Sequence, residues 1–452
     1  MGTVPGVATA AGDAKRWYKG MLHCHSYWSD GRAFPEQSVQ AYCRRGYHFY
    51  CLSDHNRLGK DGAYWRNVCE DEGPWPKNVH RPIFEKYRKD FPDADIREQD
   101  GKTQVRIKTF DEIKAKFDRP GRFLVLPGME VTRITTHPHG PDRTQVHMNY
   151  VNLNKGLASA LAGPLIQSYG KSSSEIVGKT YGEIKALAAE LGAPPHLVFL
   201  NHPQWRFWDV VPQDLIDNPD VRYFEVCNGG ADIPLPRYVS AHDVSCDRFW
   251  DVVLAHRCRV GAPLLFGIGS DDAHFYPDSG TSEKCYPFAD AYVQVRADAL
   301  TPEALVAAMD RGDFYASCGV DLEDVQADAE AGRLSVSVPA KPGVSYTIRF
   351  VGTKRDFKAG VEAEVLFKGD ERAQVGKRRL PIYSETIGVV FKSVSGKPGE
   401  RVEASYALQA DDLYVRAIVE SSEAVTGYAK RSHQHPQHPR AWTQPLRRKF
   451  SP

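Results

Sequence analysis

The chain has no surplus of either charge: its 452 residues carry 58 Lys+Arg against 57 Asp+Glu. A phosphate backbone is gripped by a clustered basic surface, so no nucleic acid is expected as a partner. No apolar run approaches the ~20 residues that span a bilayer, and no membrane span is expected either. Paired cysteines are missing too. Cys24, Cys43, Cys51, Cys69, Cys227, Cys246, Cys258, Cys285 and Cys318 are odd in number and contain no Cys-x-x-Cys. That argues against a disulfide framework or a structural zinc finger and for buried free thiols. Residues 1–15 lack the basic start and continuous apolar stretch of a secretory signal. The small-residue run Val7-Ala8-Thr9-Ala10-Ala11 would suit the flank of a trimmed one. Free thiols lean toward a reducing, cytoplasmic setting, with a periplasmic or secreted one if a signal has been removed. Ser-His-Asp order and a Gly-rich phosphate loop are also absent.

What is present reads as α/β. After a flexible N-terminal segment (1–16), residues 17–56 run strand, turn, helix, strand. Pro35 opens the helix, Gly46 closes it, and residues 47–52 form the second strand. That is one β-α-β unit. Short apolar runs follow at 122–126, closed by Pro127-Gly128, and at 145–151, 197–200, 222–226 and 264–268, with a helix over 180–191. A polar cluster sits just after most of the strands, where α/β folds place their ligands. Residues 57–120 are charged, contain Trp and Pro and show no clean period; they read as an insertion over the strand ends, a lid. Residues 152–180, rich in Gly and Ser, read as a second, looser insertion. A helix over 302–311 then leads into alternating strands from about residue 321 to 452, which suggest a small β-sandwich.

The polar clusters carry the chemistry. The first is Leu22-His23-Cys24-His25-Ser26-Tyr27-Trp28-Ser29-Asp30-Gly31. The others are Ser53-Asp54-His55-Asn56, Gly128-Met129-Glu130, Val146-His147-Met148-Asn149, Asn201-His202-Pro203 and Ser270-Asp271-Asp272-Ala273-His274. In a strand, residues i and i+2 share a face, so His23 and His25 can address one ion, as can Asp272 and His274. Imidazole and carboxylate suit zinc, manganese or iron. One such histidine alone would be an ordinary packed residue; six clusters at successive strand ends point to a multinuclear metal site. Asp271 competes with Asp272 as a ligand, and the Asp-x-His spacing favours Asp272.

Taken together, these motifs resemble the polymerase-and-histidinol-phosphatase (PHP) metallohydrolases over about residues 17–320, and most of all their carbaryl-hydrolase-like branch. The resemblance implies a distorted seven-stranded β/α barrel with two or three divalent ions, and an appended C-terminal β-sandwich-like domain over 321–452. It assigns His23, His25, Glu130 and Asp272 to one ion. Glu130 would bridge to a second, held also by His147 and His202, and Asp30, His55 and His274 would take a third. Some relatives carry His where this chain has Asp30, which leaves that third position the most open. The implied activity is ester hydrolysis, a phosphoester first, through a metal-bound hydroxide, with a carboxylic or carbamate ester as the alternative. A non-catalytic metal-containing binding module is the remaining class, weakened because all nine ligand positions are filled. Asp30, His55 and His274 are candidate catalytic groups, the two histidines as proton donors if the third ion is absent.

The expected partner is a small-molecule ester; the oligomeric state is open. Arg57, Arg133 and Arg206 lie beside the clusters, and a guanidinium there suits phosphate or carboxylate. His137 and His139 read as loop residues, and the Ser432-His433-Gln434-His435 run as a solvent loop. Trp205 and Trp208 read equally as site wall or core. The segment Glu225-Val226-Cys227-Asn228 reads as support behind the ligands.

Overall fold

The computed structural model describes residues 15–59, 64–70, 78–135, 145–162, 168–204, 209–230, 245–280, 288–366, 377–424 and 438–448. The expected flexible segment lies almost wholly outside these, and Arg16 already belongs to the first strand.

One large sheet carries most of the chain. Its first seven strands are β1 (Arg16–Met21), β2 (Phe49–Leu52), β3 (Leu124–Thr135), β4 (Gln145–Val151), β5 (Leu197–Leu200), β6 (Tyr223–Asn228) and β7 (Phe266–Ser270). They lie side by side in sequence order. β1, β2 and β3 are parallel, β4 runs antiparallel to both neighbours, and β5, β6 and β7 are parallel again. β2 and β5 are buried along their whole length, which explains their unbroken apolar runs. The helix Pro35–Arg44 opens on its proline, and Gly46 takes φ +75° just past its end, as the sequence suggests.

The closed barrel is not what forms. Among the described residues no ladder joins β7 back to β1. The free edge of β1 is instead taken by β8 (Tyr292–Ala297), antiparallel from Arg16↔Ala297 to Gly20↔Val293. β8 leads to β9 (Phe314–Ser317) and away from the seven. Among the described residues a single parallel bridge, Cys24 to Ala273, spans from the end of β1 to the end of β7.

Pro127-Gly128 does not end its strand either. Pro127 is the last residue of β3 paired with β2, opposite Leu52, and Gly128 is the first paired with β4, opposite Val151. The proline therefore sits where the strand changes partner, so its missing N–H breaks no ladder. Its carbonyl still accepts from Asn152 N at 2.7 Å.

The 57–120 insertion is more ordered than its lack of period suggests. It contains a four-stranded sheet and the helices Arg81–Asp90 and Phe110–Phe117. Thr109 accepts from Glu112 N and the Glu112 carboxylate accepts from Thr109 N, a capping box at the second helix. The insertion braces the loop after His25: Trp28 Nε1 donates to Lys108 O at 2.9 Å and Arg66 Nη2 to Ser29 O at 3.0 Å, and Tyr87 stacks on Phe34 at 3.6 Å. The second insertion likewise holds the helix Lys155–Leu161 and the first turns of the helix Ser173–Glu190.

The C-terminal strands prolong the main sheet rather than standing apart from it. β13 (Arg440–Thr443) pairs with β9, and the path continues through β12 (Asp412–Ser421) and β10 (Tyr346–Lys354) to β11 (Val389–Ser395). A three-stranded sheet, Asp324–Asp328, Arg333–Val338 and Val402–Ala407, shares an apolar core with it through Leu334, Val336, Ile348, Phe350 and Val415, the two-layer packing expected of a sandwich.

The two halves are also pinned by a buried ion pair. Arg416 on β12 grips Asp251 of the helix Cys246–Arg259 in two bonds, Nε to Oδ1 at 2.9 Å and Nη2 to Oδ2 at 2.7 Å. Tyr414 donates to the same Oδ1 at 2.9 Å. Removing one partner of such a pair strands the other charge and typically costs about 3–5 kcal/mol. Arg416 Nη1 keeps Asp247 Oδ1 at 3.1 Å, so Asp251→Ala is expected to lower unfolding free energy by about 3 kcal/mol, the low end of that range, in urea titration. A loss within ~0.5 kcal/mol, the range of a surface substitution, would show that the pair does not tie the halves together.

Candidate metal centre

The ligand residues are brought together by backbone ties at the strand ends. Asp272 N donates to His23 O at 3.0 Å and His25 N to Ala273 O at 2.9 Å, which sets His-x-His directly against Asp-x-His. On the other side His55 bridges to Glu130, and Glu130 N lies 3.1 Å from Ser53 O. Asp272 and Asn56 hold positive φ, +52° and +47°, a conformation uncommon outside glycine and frequent at functional sites. Two glycines permit the close approach. A Cβ on Gly31 would lie 2.4 Å from the His25 backbone carbon, and one on Gly230 would lie 2.5 Å from Asp272 O.

At the centre four atoms face one point. His23 Nε2 and His25 Nε2 are 3.2 Å apart. Glu130 Oε2 lies 3.3 and 3.1 Å from them, and Asp272 Oδ1 lies 3.2 and 2.9 Å. A divalent ion with bonds of ~2.0–2.1 Å spaces its ligands ~3.3 Å apart in a tetrahedron and ~3.0 Å in an octahedron. The observed edges fall on that range. Glu130 Oε2 and Asp272 Oδ1 are also buried and accept no hydrogen bond. Buried carboxylate oxygens left so are costly, and a cation between these four atoms would satisfy both. The residues fit a metal.

Glu130 faces two ways. Its Oε1 meets His147 Nδ1 at 2.8 Å and His202 Nε2 at 3.5 Å, with Asn201 Nδ2 donating at 2.8 Å. A carboxylate that turns one oxygen to each of two imidazole groups is arranged to bridge neighbouring ions. Asp30, His55 and His274 gather on the outer side, with Asp30 Oδ2 3.4 Å from His274 Nε2 and 3.7 Å from His55 Nε2. All nine residues assigned from the sequence thus line one pocket. Asp271 is turned elsewhere: its carboxylate accepts from Tyr42 OH at 2.6 Å and from Ala291 N at 2.8 Å.

The arginines are less convergent. Arg57 is exposed and places Nη1 3.3 Å from Tyr64 OH. Arg133 is buried, donates to Thr132 O at 3.2 Å and lies 3.8 Å from Glu183, so it reaches toward a helix rather than the pocket mouth. Arg206, the 205–208 aromatics, His137, His139, His433 and His435 lie outside the described residues.

Supports behind the ligands carry signals too faint to be given roles from sequence. Asp54 accepts from Ser26 N and Oγ and from Ser29 N and Oγ at 2.7–2.9 Å, fixing the loop that presents Asp30. Thr132 Oγ1 lies 2.7 Å from His55 Nδ1. Only their presence inside or beside the motifs hints at such work.

Electrostatics follow from this crowding. Burial alone would raise Glu130, but the imidazoles of His55, His23 and His147 hold it well below the usual carboxylate range. Asp272 is lowered in the same way against burial, by His23 and His25. Burial opposes charging of His55, yet Glu130 and Asp30 raise it to about 9; His274, likewise opposed by burial, is raised to about 10 by Asp30 and Asp272. Burial takes His147 the other way, down to about 4.

In the metal-free chain, His55 and His274 therefore contribute stability that is complete below the unfolded value of ~6.5 and is lost as pH rises through 9 to 10. Glu130 and Asp272 are depressed, so their contribution is present above the unfolded carboxylate range and lost in acid. A cation that takes His55 and His274 at pH 7 must displace their extra protons. Zinc titrated into metal-free protein at pH 7 is expected to release more than one proton per chain, read by calorimetry in buffers of different ionisation heat. Release of none would mean that neither His55 nor His274 gives up a proton to the cation.

No family model matches the chain, and no curated protein matches it. Among solved structures it is similar to a two-domain protein from Bacteroides vulgatus containing an inferred PHP-like metal-dependent phosphoesterase: 16% identity, 93% of this chain, 94% of that one, TM-score 0.37. It is also similar to an inferred metal-dependent phosphoesterase from Bifidobacterium adolescentis (13% identity, 60% and 93% covered, TM-score 0.28). A third is an amidohydrolase from Chromobacterium violaceum with bound sulfate and no metal (14% identity, 56% and 87% covered, TM-score 0.28). At these values no likeness bears on activity; the functional reading rests on the pocket's own side chains.

Proposed function

We propose that this chain is a metal-dependent hydrolase of phosphoesters, acting on a small-molecule substrate at a site of two or three divalent ions. The observation that carries the reading is the pair of buried carboxylate oxygens, Glu130 Oε2 and Asp272 Oδ1, turned without hydrogen bonds toward the Nε2 atoms of His23 and His25. When bound, the ions supply positive charge to the phosphoryl oxygens and lower the pKa of water toward neutrality.

His23, His25, Glu130 and Asp272 would hold the first ion. Glu130 Oε1 with His147 and His202 would hold the second. Paired ions under one carboxylate suit a substrate whose several oxygens share developing charge, which favours a phosphoester. No described residue favours the carboxylic or carbamate ester. Asp30, His55 and His274 would take a third ion. With two ions bound, His274 would instead keep a proton on Nε2, beside Asp30 Oδ2, and hand it to the leaving oxygen. His274 is the most exposed of the nine, placed to meet substrate. Arg57, exposed directly after Ser-Asp-His-Asn, would meet an anionic part of that substrate.

Nitrophenyl phosphate is expected to be hydrolysed by protein loaded with zinc or manganese and spared after chelation. His202→Ala and Asp272→Asn should each lower kcat/KM by about 100-fold or more. Nitrophenyl acetate turned over faster than the phosphate would move the reading to carboxylic esters. Loaded protein inert toward esters of both kinds would remove the enzyme assignment. His274→Asn with two metals retained should lose the alkaline limb of the pH–rate profile; an unaltered profile would exclude His274 as the proton donor.

A further inference from the structure

Behind the pocket, on β6, the fully buried carboxylate of Glu225 accepts four hydrogen bonds and touches ligands from two of the three groups. Its Oε1 accepts from His23 Nδ1 at 2.8 Å and from Ser270 Oγ. Its Oε2 accepts from His202 N at 2.7 Å and from Asn228 Nδ2 at 2.7 Å. We infer that Glu225 is a positioning residue that fixes His23 as an Nε2 ligand and, through the same carboxylate, holds the His202 backbone in register.

A neutral imidazole carries one proton and offers one lone pair. With Nδ1–H donated to Glu225, the lone pair is on Nε2, the atom that faces His25, Glu130 and Asp272. A carboxylate behind a histidine ligand also raises its basicity and locks its ring. All four groups around Glu225 are donors, so an amide of the same shape cannot satisfy them. In Glu225→Gln the amide NH2 must face one pair. The backbone N–H of His202 cannot reverse its role, whereas His23 and the Ser270 hydroxyl can. The amide oxygen is therefore expected toward His202 and Asn228, with the NH2 toward His23 Nδ1 and Ser270. That forces the His23 proton onto Nε2 and removes a ligand from the first group while conserving volume.

The inference rests on the metal-centre reading, and its test is independent of turnover. In zinc-loaded protein with 15N-labelled histidine, the His23 Nδ1 proton is expected downfield of the other imidazole N–H protons, as a short bond to a carboxylate requires. Glu225→Gln should abolish that resonance and weaken zinc binding 10–100-fold in competition with a chromophoric chelator, with native circular dichroism retained. Wild-type zinc affinity in a folded Glu225→Gln would overturn the inference. So would a wild-type His23 with Nδ1 unprotonated or with its proton undisplaced. If Glu225→Gln does not fold, the wild-type resonance decides alone. Loss of zinc affinity in a chain that cleaves no phosphoester would sustain the positioning role and count only against the proposed activity.

Discussion

The structure depends on holding like charges close together out of water. Glu130 and Asp272 are buried with four imidazole nitrogens within ~3.3 Å, the edge length that ~2 Å metal bonds require. Left without cations, such carboxylates stay ionised only by charging their histidines, and that is the direction in which His55 and His274 are pushed. The strand ends do the assembling. Hydrogen bonds from Asp272 N to His23 O and from His25 N to Ala273 O join the first and last motifs of the pocket across some 250 residues of sequence.

The site was therefore more legible than the fold around it. Metal chemistry admits few residue types, and the strand period pairs His23 with His25 and Asp272 with His274; the grouping of Glu130, His147 and His202 came from the family resemblance. Asp272 over Asp271 follows from the same period, and the Asp271 carboxylate is taken up by Tyr42 and a backbone turn. The substrate arginines were not legible in this way. Long side chains choose partners by tertiary packing, and Arg133 reaches Glu183 on a helix 50 residues further along the chain.

Strand pairing hides for a different reason. Nothing within β1 records whether its second edge will meet β7 or β8, since either neighbour would bury the same side chains. The choice is made by β8, which is more than 270 residues further on and begins the path into the C-terminal strands. Pro127 likewise signals an end when read locally, yet it marks a change of partner within one continuous strand. Charge at 57–120 masked a folded brace whose ties to the core are tertiary, Tyr87 stacked on Phe34 and Trp28 Nε1 bonded to Lys108 O.

One proton per imidazole orders the pocket. His25 faces the inner group through Nε2; with that lone pair given to an ion, the proton would sit on Nδ1, which lies 3.6 Å from Asp30 Oδ1 and 3.4 Å from Ser29 Oγ. It can then serve the outer group only as a donor. His55 stands between two demands: Nδ1 lies 2.9 Å from Glu130 Oε2, while Nε2 faces Asp30. If Nε2 turns its lone pair outward, Nδ1–H must donate to Glu130 or Thr132, and a hydrogen bond to Glu130 Oε2 competes with the inner cation for that oxygen. Were ions bound, the inner group would thus offer four ligands and the outer three, Asp30, His55 and His274. A three-ligand set would keep positions open for water or substrate, and His274, the most exposed of the nine, puts the outer group nearest solvent.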